Sequence, residues 1–121
     1  MKTALLLIAH GSRHDEANAD LHALAAELRG AYPIVEPAFL ELAEPRIDAA
    51  GRRCAEQGAE RVILVPYFLS AGVHVRRDLA EHRQRLAAEF PAIDWHLAEP
   101  IGRHPLLREI IVQRAKETGC E

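Results

Sequence analysis

The chain has 121 residues, of which 49% are hydrophobic, so it can build the core of one domain and is too short for two. Fifteen Lys and Arg against 18 Asp and Glu give a net charge of −3, which favours neither a nucleic acid nor an anionic membrane as partner. No stretch approaches the roughly 20 apolar residues of a membrane span, and Cys54 and Cys120 lack metal or redox spacing, so we expect one soluble cytoplasmic domain, residues 1–121, with free thiols.

The first third of the chain alternates between strand and helix patterns. Residues 3–9, TALLLIA, form a continuous apolar run that is typical of a strand covered on both faces, and we interpret them as a strand rather than a leader segment. Leucines spaced three and four apart predict a helix over 15–29. A second strand is predicted at 34–41. Pro37 within it indicates an edge position or a bulge, because proline donates no hydrogen bond to a ladder.

The same alternation continues to the end of the chain. Pro45 is expected at the first position of the next helix, and RVILVPYFL is the clearest strand because it is apolar and rich in β-branched residues. The predicted elements, in order, are a helix at 44–59, a strand at 61–69, a helix at 75–90, a strand at 93–100 and a helix at 104–119.

Strict alternation of strand and helix predicts an α/β fold with a four-stranded parallel sheet, helices on both faces and right-handed crossovers. Ligands of such sheets bind beyond the carboxyl ends of the strands. AHGSR at 9–13 leaves the first strand at that edge, and FLSAGVH at 68–74 leaves the third. We therefore expect these two polar loops to converge.

His10 and His74 are the candidate chemical groups of these loops. A neutral imidazole can bind Fe, Co, Ni, Cu or Zn, and near neutral pH it can instead accept a proton. Each histidine alone is equally well explained as a loop cap, but the pair favours metal or proton chemistry. The other five histidines are assigned no chemistry, His104 being expected to cap a helix before Pro105.

Other polar residues at this edge fit an anionic ligand. Gly11 and Gly72 allow close backbone approach or positive φ, and amides near helix N-termini bind anions. Carboxylates at 41 and 44 leave the second strand at the same edge, and we weigh a carboxylate facing the ligand against simple placement near a helix N-terminus. Serine and arginine side chains that could meet substrate carboxylates, or act only as turn formers and solvated charges, are Ser12, Ser70, Arg13, Arg76 and Arg77.

Four segments together resemble the small CbiX-type class II chelatases, the group of sirohydrochlorin cobaltochelatases, nickelochelatases and ferrochelatases. The segments are LLLIAHGSR, FLELAEP, VILVPYFLSAGVHVRRDL and AEPIG, each at the carboxyl end of a predicted strand. The resemblance implies a chelatase-like, flavodoxin-like three-layer sandwich equivalent to half of a two-lobed chelatase. It also implies ATP-independent insertion of Co²⁺, Ni²⁺ or Fe²⁺ into sirohydrochlorin by a homodimer, with no organic cofactor.

The resemblance also assigns roles to residues. It implies that His10 is a metal ligand and proton acceptor, and that His74 is the second metal ligand. Substrate contacts are implied for Glu44, Leu69, Ser70, Ala71, Gly72 and Val73, to which the loop residues Ser12 and Arg13 are added as partners for carboxylates.

Two other functions are weighed against metal insertion. A flavodoxin-like module that binds a tetrapyrrole or a metal without catalysis has the same sequence features. A histidine-phosphatase-like loop is less favoured, because that loop normally has arginine before its histidine and this chain has Ala9.

Overall fold

A four-stranded parallel sheet organises the computed structural model, which describes residues 1–120. The strands lie in the order β2-β1-β3-β4 and all neighbouring pairs are parallel. The predicted fold is confirmed, and residue 121 of the predicted domain lies outside the described residues. The elements are β1 (Thr3–Ala9), α1 (Asp15–Leu28), β2 (Ile34–Phe39), α2 (Ile47–Glu56), β3 (Arg61–Pro66), α3 (Val73–Glu89), β4 (Asp94–Leu97) and α4 (Leu106–Glu117).

Several predicted boundaries are wrong at the carboxyl end of the strands. Strands β2, β3 and β4 end two or three residues earlier than predicted, because the chain there leaves the regular ladder for loops that keep only single hydrogen bonds to the neighbouring strand. Pro45 is not the first helical residue: its carbonyl accepts a hydrogen bond from Phe39 N at 2.9 Å, and the helix begins at Ile47. Helix α3 begins at Val73, so His74 lies in its first turn rather than in the loop.

Two apolar clusters hold the sheet, one on each face. The larger is formed by α2 and α3 against the sheet and includes Cys54, Leu79 and Leu86. The smaller lies under α1, which buries Leu21 and Ala25. Strand β2 is an edge strand, as its proline predicted. Both cysteines are free thiols, also as predicted.

Helix α4 departs from this arrangement because none of its residues is buried. It follows β4 and contributes to neither apolar cluster. Within residues 1–120, no helix is both long enough and apolar enough to cross a bilayer.

Candidate functional site

The loops at the carboxyl edge of the sheet are joined by hydrogen bonds that continue the strand pairing. Beyond β1 and β2, Leu40 N donates to Ala9 O and Glu41 N donates to His10 O, both at 2.9 Å. Gly11 has φ +102°, and a Cβ there would overlap the carbonyl group of Glu41. Glycine is required at this position because the backbone of the second loop passes directly against it.

His10 and Glu41 form the central pair of the edge. His10 Nε2 lies 2.7 Å from Glu41 Oε1, and each side chain is 52% exposed. An ionised carboxylate only accepts hydrogen bonds, so the pairing places a proton on Nε2 and leaves the lone pair of a neutral imidazole on Nδ1. The His10 ring also meets Phe68 edge-on, with 6.3 Å between ring centroids. The imidazole of His10 is therefore an exposed potential metal ligand, and its orientation is held by Glu41 on one side and Phe68 on the other.

Glu41 was a candidate in the sequence, but its partner was not found there. The strand register indicates the His10–Glu41 pair, because Ala9 pairs with Phe39 and the residues that follow each of them continue side by side. The sequence alone does not give that register, since either neighbour of β1 could have supplied the adjacent loop.

His74 reaches the same edge from α3. Its exposed side chain lies in the first turn, after Gly72 as N-cap. Phe68, from the loop that leads into α3, contacts His10, so the structure brings the two predicted loops together. Within residues 1–120, no hydrogen bond or ring contact joins the two imidazoles, and no group of three or more His, Cys, Asp or Glu is placed to hold a metal ion.

An open depression of about 350 Å³ lies on the α1 side of the histidine loop. Ser12, Arg13 and Glu44, three of the predicted substrate residues, line it together with Leu42. Ser12 Oγ accepts a hydrogen bond from His14 N at 3.0 Å, so this hydroxyl also shapes its own turn. The depression combines a cation, a carboxylate and an apolar wall.

A smaller pocket of about 60 Å³ lies between the loop after β3 and the loop after β4. Leu69, Ser70 and Ala71 line it with Arg76 and Arg103. Beside it, Leu69 and Val73 are among the most exposed large apolar side chains of the structure. This edge therefore presents apolar surface next to guanidinium groups.

Gly102 holds the loop after β4 in place, and sequence reasoning did not single it out. Its N–H donates to Phe68 O at 2.9 Å, and a Cβ there would overlap the Leu69 carbonyl. By contrast, Gly72 has φ −72° and open space around its Cβ position, so the positive φ that was one expectation for residue 72 is not found.

Two of the remaining histidines make side-chain hydrogen bonds away from the candidate site loops. His104 Nδ1 accepts a hydrogen bond from Leu106 N at 3.1 Å, although the N-cap residue of α4 is Pro105. His82 Nδ1 lies 2.8 Å from Asp48 Oδ1, between α2 and α3.

The fold and the edge together define a doubly wound α/β protein whose loops at the carboxyl edge of the sheet carry an imidazole–carboxylate pair beside exposed apolar side chains. A family model described as CbiX matches residues 4–118. The chain belongs to the CbiX family.

Named relatives of this family are sirohydrochlorin chelatases. The sirohydrochlorin ferrochelatase of Arabidopsis thaliana chloroplasts is 38% identical over 112 residues, which is 91% of this chain and 50% of the relative. The sirohydrochlorin cobaltochelatase of Sulfolobus acidocaldarius is 34% identical, over 93% of this chain and 89% of the relative. The crystal structure of SirB from Bacillus subtilis subspecies spizizenii with cobalt matches with a TM-score of 0.87 and 32% identity, over 97% of this chain and 51% of that one. The chain thus spans about half the length of the plant and Bacillus relatives and nearly all of the archaeal one.

Proposed function

We propose that this protein is an enzyme that inserts a divalent metal into sirohydrochlorin without ATP, with His10 as metal ligand and proton acceptor and His74 as second metal ligand. The observation that carries the proposal is the exposed His10–Glu41 pair at the carboxyl edge of a CbiX-family sheet. Metal and macrocycle are both substrates, and no organic cofactor enters the reaction. Co²⁺, Ni²⁺ and Fe²⁺ are the proposed metals.

Insertion has three physical requirements: two pyrrole N–H protons must leave, the metal must shed water, and the macrocycle must bend so that its nitrogens reach the metal. Glu41 accepts a hydrogen bond from the Nε2–H of His10, which leaves the lone pair of the neutral ring on Nδ1. That lone pair can hold the metal before transfer or take a pyrrole proton during it. The imidazolium formed in the second case is stabilised by the carboxylate 2.7 Å away.

The substrate contacts follow from the chemistry of the two pockets. The flat face of the macrocycle fits the exposed apolar side chains of Leu69 and Val73. Its carboxylates fit the guanidinium of Arg13 and the hydroxyl groups of Ser12 and Ser70, with Ala71 and Gly72 leaving the backbone accessible. Glu44, an acceptor when ionised, suits a pyrrole N–H rather than another carboxylate.

The assembly belongs to the same proposal. Residues 1–121 act as one CbiX-like unit, equivalent to half of a two-lobed chelatase, and two copies form a homodimer that holds the macrocycle between them. The chain's match to half of the SirB structure and to 89% of the Sulfolobus relative supports this view. Cytoplasmic location stays a prediction from the sequence.

The test is metal insertion followed by absorbance, with sirohydrochlorin and Co²⁺, Ni²⁺ or Fe²⁺. We expect the protein to accelerate insertion, and His10→Ala to lower kcat by about 100-fold or more, as is typical when a general base is lost. His82→Ala is the matched control, because it removes a histidine that contacts Asp48 rather than the site loops. His74→Ala is expected to raise the KM for the metal.

The competing function gives a different result in the same assay. A non-catalytic module would bind the macrocycle or the metal, seen as a spectral change on mixing, and would leave the rate of insertion at its uncatalysed value with every metal. Unchanged kcat in His10→Ala would remove the imidazole from the mechanism.

A further inference from the structure

Two arginine side chains that have no role in the proposed function line the pocket of about 60 Å³ between the loops that follow β3 and β4. Arg76 belongs to the first turn of α3, and Arg103 belongs to the loop after β4. Ser70, from the loop after β3, lines the same space. We call the space bounded by Ser70, Arg76 and Arg103 the arginine pocket. Two positive charges and a hydroxyl group around one small volume favour an anion as its ligand.

Most hydrogen-bond donors of the arginine pocket are free to bind a ligand. Among residues 1–120, neither the Arg103 guanidinium nor the Ser70 hydroxyl makes a hydrogen bond, and no Asp or Glu lines the pocket. Arg76 Nη1 donates to Glu99 Oε2 at 3.2 Å, which uses one of the five N–H groups of the guanidinium. The Glu99 side chain is 84% exposed, so this ion pair is screened by water and easily shared with a second anion.

The backbone fixes the two walls of the arginine pocket against each other. The Leu69 carbonyl lies where a Cβ of residue 102 would be, and Gly102 N donates to Phe68 O. His104 N donates to Ile101 O at 3.2 Å, which closes a turn with Gly102 and Arg103 at its centre. The loop that carries Arg103 is therefore held in place before any ligand binds.

The backbone of Arg103 is in a conformation that favours glycine. Its φ is +67°, in the left-handed region, where a side chain is sterically disfavoured. The central turn position that needs positive φ is normally glycine or asparagine. Residues held in such conformations cluster at ligand sites, where the side chain has a use that offsets its cost to folding. The conformation of Arg103 thus points to its guanidinium as a functional group.

We propose that the arginine pocket binds one carboxylate side arm of the macrocycle, with Arg76, Arg103 and the Ser70 hydroxyl as hydrogen-bond donors. This inference rests on the proposed function and adds two arginines to its substrate contacts. A volume of about 60 Å³ holds about two water molecules, so a carboxylate enters the pocket and a pyrrole ring does not. Guanidinium groups suit this ligand because they bind both oxygens of a carboxylate at once.

The position of the pocket relates the bound arm to the reacting centre. Leu69 lines the arginine pocket and is also 71% exposed on the apolar surface proposed for the flat face of the macrocycle. The preceding residue, Phe68, meets the His10 ring edge-on. A macrocycle with one arm in the pocket is therefore held at a fixed rotation beside the imidazole. We expect the arm to contribute mainly to binding and orientation rather than to proton transfer.

The first experiment titrates metal-free sirohydrochlorin into the protein and follows absorbance, so that binding is measured without insertion. Arg103→Gln and Arg76→Gln should each raise Kd by about tenfold or more, since each removes a charge-assisted hydrogen bond. Arg52→Gln is the matched control: it removes the same charge, but its partner Glu89 is the last residue of α3, at the other end of the helix from Arg76. Its Kd should stay within about twofold of wild type.

The second experiment changes the ligand instead of the protein. In a macrocycle whose side-arm carboxylates are converted to carboxamides, the size is kept and the negative charge is lost. The ratio of Kd between Arg103→Gln and wild type should then fall to about one, because the arginine no longer has a charged partner. An equal ratio for acid and amide would overturn the inference, as would wild-type affinity for the acid in both arginine variants. Competition by inorganic phosphate against acid and amide alike, at constant ionic strength, would make the pocket a site for free anions and would also overturn it.

Arg103→Gly separates binding from folding. Glycine removes the steric cost of φ +67°, so the melting temperature should stay the same or rise while Kd for sirohydrochlorin rises as it does in Arg103→Gln. A lower melting temperature together with weaker binding would mean that Arg103 supports the loop, and the inference would be wrong.

The two proposals fail separately. If the wild type accelerates insertion and the arginine variants bind sirohydrochlorin as it does, only the arginine pocket is removed. If binding depends on Arg103 and the wild type does not accelerate insertion with any metal, only the chelatase activity is removed.

Discussion

Glu41 contacts the imidazole of His10 because the backbone hydrogen bonds between β1 and β2 continue beyond both strands and hold the two residues side by side. Its carboxylate fixes the proton on Nε2, and in the mechanism proposed above it offsets the charge that His10 would gain as a base. Glu41→Gln keeps the size of the side chain and removes the charge, so it should lower kcat for insertion by about tenfold or more while changing the KM for sirohydrochlorin little. Steady-state kinetics with Co²⁺ measures both constants.

Glu44→Gln is the comparison within the same loop. Glu44 lines the depression beside the histidine loop, and among residues 1–120 it makes no side-chain hydrogen bond to His10, so its loss should appear mainly in KM. The same kcat for wild type and Glu41→Gln would show that His10 works without its carboxylate partner.

At the scale of elements, the loops of the site can pack against each other because glycine leaves room for the backbone of the neighbouring loop. The Leu69 carbonyl occupies the space that a side chain at residue 102 would need, and that carbonyl belongs to backbone that cannot move without shifting Phe68. Gly102→Ala should therefore lower the free energy of unfolding by about 2 kcal/mol or more. Urea unfolding, followed by far-UV circular dichroism, measures the difference.

Gly72→Ala is the matched substitution, because its Cβ meets nothing within 4 Å and its φ is −72°. An alanine there should leave the free energy of unfolding unchanged or raise it slightly, since it reduces the freedom of the unfolded chain. Equal losses at 72 and 102 would contradict the close loop contact.

The limits of sequence reasoning also lie at this scale. Apolar runs and helical spacing located all eight elements, and the rule for parallel sheets placed the histidine loops at one edge, because both depend on local pattern and chain order. The His10–Glu41 pair and the role of Gly102 depend on which strands are neighbours, which composition does not encode. Helix α4 is predicted like any other helix, and only the structure reveals that none of its residues is buried among residues 1–120.

At the scale of the whole molecule, the ionisation of one buried thiol makes the free energy of unfolding depend on pH in the alkaline range. Cys54 lies fully buried in the larger cluster, and burial, with Glu36 nearby, raises the pKa of its thiol from 9.0 to about 12. The folded state therefore keeps this proton over a range in which the unfolded chain loses it. Above pH of about 9 the unfolded state binds fewer protons, so the free energy of unfolding must fall as pH rises, until the folded thiol also ionises near 12.

The size of this effect is bounded by one proton, at about 1.4 kcal/mol per pH unit. Other groups also titrate in this range, so the informative quantity is the difference between the full chain and Cys54→Ala at equal protein concentration. Below pH 9 the two free energies should differ by a constant, which is the packing lost with the sulfur. Above it the full chain should lose stability more steeply than the variant. Parallel curves from neutral pH to about 11 would mean that Cys54 ionises as easily inside the fold as outside it, which a thiol sealed between α2 and the sheet cannot do.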